Sequence, residues 1–127
     1  MSDERPWAPP GEHVAVRRHW TYAPPPWVLY EAVVGEADRW LRPLAGERAP
    51  VVAAHRRPDW ILLRPWITDA VGAVELEVEP DGLGSRLTVR AYADLPVLEE
   101  ESRRRVRHRL GTIFGAGLRE WVDEPHP

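Results

Sequence analysis

Cysteine, lysine, asparagine and glutamine are missing from these 127 residues, and methionine and phenylalanine occur once each. Without cysteine there are no disulfides, no thiolate nucleophile and no cysteine-ligated zinc. Every basic side chain is an arginine, a skew that fits the codon bias of a GC-rich genome better than a special role for arginine. A basic excess is also missing. The net charge is −3, which argues against nucleic acid as a partner held by bulk electrostatics. No apolar run approaches the roughly 20 residues that span a bilayer, and the start, Met1 to Trp7, has no apolar signal segment. No membrane partner is expected, and a cytoplasmic location is. Metal-ligand spacing is absent as well. His13 and His19 share a strand face but stand about 20 Å apart, and His55, His108 and His126 fall singly. No metal or cofactor is expected. Ser2, Ser85 and Ser102 have no histidine beside them, so a serine nucleophile is excluded.

What the chain does have is tryptophan, 7 of them, and a strongly patterned C-terminal stretch. Val97 to Val122 predicts one long amphipathic helix. Val106, Leu110, Ile113, Phe114 and Trp121 fall on one stripe at 100° per residue. Ahead of them Glu99, Glu100 and Glu101 each precede an arginine by four residues, acid first, worth a few tenths of a kcal/mol per pair. Asp94 is a candidate cap and Pro96 suits a first turn. Gly117 lies on the apolar stripe, where it implies close backbone approach or space left for something else.

The rest of the chain reads as one domain built to hold that helix. Residues 1–12 predict a loose Pro-rich arm and residues 124–127 a frayed tail. His13 to Tyr22 alternates as a strand, with Val14, Val16, Arg18, Trp20 and Tyr22 on one face. Pro24-Pro25-Pro26 then opens a short helix to Val34, ended by Gly35, and a second short helix runs from Glu36 to about Leu41. Val51–His55 and Trp60–Trp66 form a hairpin across Arg57-Pro58-Asp59. A tight hairpin puts Val51, Ala53 and His55 on the face of Trp60, Leu62, Arg64 and Trp66, while Ile61 and Leu63 take the other. A second hairpin turns at Pro80–Gly84. Setting Glu79 opposite Arg86 pairs Glu77 with Thr88 and Glu75 with Arg90 on a solvated face, and Val78/Leu87, Leu76/Val89 and Val74/Ala91 on a buried one. The fold class is therefore α+β, a curved antiparallel sheet with one long helix packed across it.

This order of elements resembles the helix-grip fold of the SRPBCC superfamily. That group includes START domains, the Bet v 1 type, polyketide cyclase/dehydrase-like proteins and Hsp90-ATPase-activator homologues. Ala23-Pro24-Pro25-Pro26 with Leu29-Tyr30-Glu31-Ala32-Val33 resembles the family's first helix. Asp38-Arg39-Trp40 resembles its "D-x-W", and Gly84-Ser85-Arg86-Leu87-Thr88 its "G-T-R-L-T". The resemblance covers residues 13 to 123. It departs from the family between Leu41 and Val51, too short a stretch for a seven-stranded sheet, and it has Ser85 where threonine is usual. It implies a cavity between sheet and helix that takes a small hydrophobic molecule such as a lipid, sterol, polyketide or hormone. It implies no reaction, because the family shares no catalytic residue.

The residues that would line such a cavity are Trp20, Tyr22, Tyr30, Trp60, Arg64, Trp66, Leu110, Phe114, Gly117 and Trp121. An ordinary aromatic core is the alternative. Arg64 would be a cation for a ligand oxygen if its face turns inward and a surface arginine if not. Arg18 raises the same question. A binder of an aromatic or polyketide-like molecule is one reading. A cyclase, dehydrase or aromatase using Arg64, Tyr30 or His55 for proton transfer is the second. A protein-interaction module is the third. Oligomeric state is not set by these residues.

Overall fold

The computed structural model describes residues 14–45, 50–64, 71–93 and 99–123. The expectations for the arm, for Trp66, for Asp94 and Pro96 and for the tail lie outside them. Five strands form one antiparallel sheet: β1 (Val14–Tyr22), β2 (Val51–Arg56), β3 (Trp60–Arg64), β4 (Val71–Asp81) and β5 (Gly84–Ala93), in the order β1-β5-β4-β3-β2. The β4–β5 register is the one predicted, from Glu79 opposite Arg86 to Val74 opposite Ala91. Gly82 takes the positive φ that the turn needs (60°), a conformation open to glycine without steric cost.

An apolar row crosses the inner face of this sheet. Val16 stands opposite Ala91, which stands opposite Val74, which stands opposite Leu63. All are buried in one core with the helices. Three register shifts curl the sheet around that core, between Val14 and Val16, Val52 and Ala54, and Val71 and Ala73. A bulge adds one residue, increases local twist and reverses the facing of every side chain beyond it. The first shift sends Val14 to the outer face opposite Tyr92, away from Val16, whose side it was expected to share. The second moves His55. Its partner is Ile61, so it faces inward, on the side opposite Arg64.

The helices differ from expectation at two places. The two short helices are one, α1 (Pro26–Ala45), which runs through Gly35 and takes Pro43 in its last turn. A glycine in a helix interior costs about 1 kcal/mol. Burying Trp40 and Leu41 against the core is worth roughly 1.5–3 kcal/mol for each side chain, so continuation wins. At the C-terminus, α2 (Glu100–Leu110) passes into a π-helical segment, Gly111–Leu118, and then into α3 (Arg119–Asp123). The acidic block supports α2 mostly at i,i+3, with Arg103 on Glu100 and Arg104 on Glu101, and at i,i+4 with Arg105 on Glu101. Glu99 holds the cap position without a side-chain cap bond.

The outer face is not uniformly solvated. Glu79 and Arg86 pair in the open at 2.6 Å, and Glu77 pairs with Arg90. Glu75, expected in the same row, is fully buried. Its carboxylate accepts from Trp60 Nε1 at 2.7 Å and Tyr92 Oη at 2.8 Å, with the Arg90 guanidinium 3.7 Å away. Trp60, Leu62 and Ala73 make a small second core around it. A buried carboxylate is tolerated only with such partners. We predict that Glu75→Ala destabilises the fold by about 3 kcal/mol, because buried donors lose their charged acceptor. Glu77→Ala, on the same face of the strand but exposed, should cost no more than about 1 kcal/mol. Urea denaturation of the two variants separates these outcomes.

Candidate functional site

The inner aromatics gather beneath the π segment. Trp20 lies on β1 opposite Leu87 and meets the Phe114 ring at 6.3 Å between centroids. Trp40 of α1 meets the other side of Phe114 edge-on at 6.2 Å, and its indole N–H donates to the Ala32 carbonyl at 2.8 Å. The Tyr22 hydroxyl donates to the Phe114 carbonyl at 2.6 Å in the buried interior. Phe114 is thus held by both its ring and its backbone. Leu110 precedes it in the same core, and Trp121 packs partly buried at the far end, its indole N–H 3.5 Å from Glu36 Oε1.

Glycine lets the helix come this close. A Cβ at Gly115 would stand 2.8 Å from Trp20 Nε1, one at Gly111 2.9 Å from an Arg18 guanidinium nitrogen, and one at Gly117 2.3 Å from Leu44 Cδ1. Of the two meanings Gly117 had in the sequence, close approach is the one found, and its neighbour is α1. Arg18 does face inward, but its guanidinium is engaged. It donates to the Arg107 carbonyl at 3.0 Å and lies 4.7 Å over the Trp20 ring. Arg119 ties the other end of the segment, donating to the Thr21 carbonyl at 2.8 Å and lying 5.4 Å over Tyr22.

A second group sits at the β2 edge. Tyr30 is buried, and its Oη is 2.5 Å from Nδ1 of exposed His55. The Arg57 guanidinium lies 5.0 Å over the Tyr30 ring and pairs with Glu31 at 2.7 Å. Of the three side chains considered for proton transfer, Tyr30 and His55 therefore meet. Arg64 does not join them. It is exposed and shares the outer face with Leu62 and Trp60. Trp60 is also removed from the inner set, because its indole N–H is committed to Glu75. The sequence signal that was missed is the pairing of His55 with Tyr30. Unbroken alternation points His55 the other way, and only the bulge corrects it. Trp40 was likewise overlooked as an inner aromatic, although Asp38-Arg39-Trp40 had been singled out.

Burial raises both phenols above the ordinary tyrosine range. At Tyr22 burial outweighs the opposing pull of Arg119, and at Tyr30 it outweighs that of Arg57. Each folded-state phenol holds its proton where the unfolded chain loses it. Stability should therefore fall as pH rises above about 10, by up to about 1.4 kcal/mol per pH unit for each tyrosine. Tyr22→Phe should remove its share of that slope and cost about 1 kcal/mol at neutral pH through the lost hydrogen bond to the Phe114 carbonyl. Urea denaturation across that range tests both. Gly117→Leu, driven into Leu44, should cost about 1–3 kcal/mol in the same measurement.

Among the described residues no cluster of three or more histidine, aspartate or glutamate side chains is arranged to hold a metal ion, and no helix is long and apolar enough to cross a membrane. No protein-family model matches the chain, and no curated protein does. Solved structures do. Ara h 8.0201 superposes with a TM-score of 0.61 at 14% identity, over 84% of this chain and 95% of that one. CalU16 from Micromonospora echinospora superposes with a TM-score of 0.62 at 15% identity, over 87% and 76%. With its curved five-stranded antiparallel sheet and long C-terminal helix, the chain has an α+β helix-grip fold, which it shares with these two structures.

Proposed function

We propose that the protein is a cytoplasmic binder of a small hydrophobic molecule, aromatic or polyketide-like in character, held between the sheet and the C-terminal helix. The observation that carries this is the segment Gly111–Leu118. It puts three glycines and a π-helical stretch over the aromatic centre of the interior. Each glycine gives up about 1 kcal/mol relative to alanine, and π-helical turns occur frequently at functional sites. Such a segment can yield and let a flat molecule enter between Trp20, Phe114 and Trp40. Aromatic faces favour offset or edge-on stacking with such a molecule. The Bet v 1-like and polyketide cyclase-like neighbours share a fold associated with small hydrophobic ligands, which supports the same reading. The lining we assign is Trp20, Tyr22, Tyr30, Trp40, Leu110 and Phe114.

Naphthalene is a suitable probe, because a flat apolar ring stacked between indoles quenches their emission. Titration should show saturable quenching by a folded protein. Gly115→Leu, whose side chain would be driven against Trp20, should weaken binding at least tenfold, about 1.4 kcal/mol. Arg64→Ala, on the outer face, should leave it unchanged. Native mass spectrometry of the protein from its own host should show a co-purifying small molecule. A folded protein that neither binds naphthalene nor carries a molecule out of the cell defeats the proposal.

A further inference from the structure

We propose that Arg18 is an anion subsite at the edge of the ligand site, and that the bound molecule is an aromatic carboxylate, its ring beside Trp20 and its carboxylate on the Arg18 guanidinium. This rests on the ligand site proposed above. One chain of contacts joins the cation to the aromatic group. The Arg18 guanidinium lies 4.7 Å over the Trp20 ring, and the same ring stands 6.3 Å from that of Phe114. Both side chains of β1 press on the π segment at its glycines, Arg18 at Gly111 and Trp20 at Gly115. A ring bound beside Trp20 is therefore a neighbour of this guanidinium.

The charge of Arg18 is uncompensated. On the outer face Arg86 and Arg90 have glutamate partners. Arg18 stands half-buried on the inner face opposite Val89, and among the described residues no carboxylate pairs with it. Its contacts are the Arg107 carbonyl, which accepts from Nη1 at 3.0 Å, and the Trp20 ring. A carbonyl is a neutral acceptor, so it orients the group and leaves the positive charge in place. It also takes one nitrogen only. A guanidinium carries five N–H donors in a planar fork, and the Nε–Nη2 edge remains to hold a carboxylate through two parallel hydrogen bonds. A single positive charge matches a monoanion. A phosphate monoester, carrying nearly two charges at neutral pH, would be left partly uncompensated. Half-burial strengthens the attraction relative to open water and keeps the polar end of the ligand near solvent while its ring lies inward.

The test compares 2-naphthoate with 2-naphthamide, a neutral probe of nearly the same shape, at about pH 7, where a carboxylic acid is ionised. Indole quenching should show 2-naphthoate binding at least about tenfold tighter, the worth of a hydrogen bond to a charged group. The ratio should shrink as salt is raised. Arg18→Gln, which keeps a donor for the Arg107 carbonyl, should bring the two affinities together. Arg64→Ala, on the outer face, should leave the ratio as it is in the wild type. NMR of the wild type provides a readout that needs no variant. Nuclear Overhauser contacts from bound 2-naphthoate should reach both the Trp20 indole and the Arg18 side chain. A smaller wild-type ratio, a ratio retained by folded Arg18→Gln, or contacts that miss Arg18 each overturn the inference. Naphthalene binding without the 2-naphthoate preference defeats this inference alone, whereas failure of naphthalene to bind defeats the ligand site and this inference with it.

Discussion

The hydrogen bond from Tyr22 to the Phe114 carbonyl is the contact on which the rest of the arrangement depends. It joins the last residue of β1 to the middle of the π segment inside the core. A π-helical stretch closes its backbone ladder one residue later than an α-helix. Tyr22 adds a partner to one of its carbonyls, and its raised phenol keeps the proton that makes the bond. Arg18 and Arg119 fasten the two sides of the same stretch to β1 through backbone carbonyls. The glycines are the steric condition for all of it, since a side chain at Gly115 or Gly117 would collide with Trp20 or Leu44. Helix, first strand and α1 are therefore locked at one place, around Phe114.

The sheet can grip because it is bent, and it is bent by bulges. The register shifts in β1 and β4 both lie opposite the Tyr92–Ala93 end of β5, so that end curls as a unit. The shift in β2 has a chemical consequence as well. It places an imidazole on the inner face beside Tyr30 in an otherwise apolar row. One inserted residue thereby brings a strand-end imidazole against a buried hydroxyl.

The two faces of the sheet solve different problems. The inner face carries aliphatic rows and aromatic rings with few polar atoms, among them Tyr22 tied to a carbonyl and Tyr30 to an imidazole. The outer face carries the ion pairs, yet it also holds Glu75 inside a second small core with Trp60 and Tyr92. A carboxylate so placed gives three strands a common anchor, because Trp60, Glu75 and Tyr92 belong to β3, β4 and β5. The central strands are thus fixed by hydrogen bonding on one side and by packing on the other.

The strands, the β4–β5 register and the long apolar stripe of the C-terminal helix follow from local pattern. Alternation of Val74, Leu76 and Val78 against glutamates, and of Leu87, Val89 and Ala91 against arginines, permits one pairing that buries apolar groups and matches charges. The helix stripe is equally local, as Val106, Leu110, Ile113 and Phe114 are all buried. What needed the tertiary structure is whatever depends on a neighbour distant in sequence. Gly35 reads as a helix end until burial of Trp40 and Leu41 carries the helix past it. Glu75 reads as solvated until Trp60 and Tyr92 converge on it. Arg64 and His55 read as one face until a bulge divides them, because a shift of one residue leaves no trace in a period of two. Gly117, on the apolar stripe, states by itself that there is either close approach or open space. Only the folded chain adds Gly111 and Gly115 to it and gives Arg18, Trp20 and Leu44 as the neighbours.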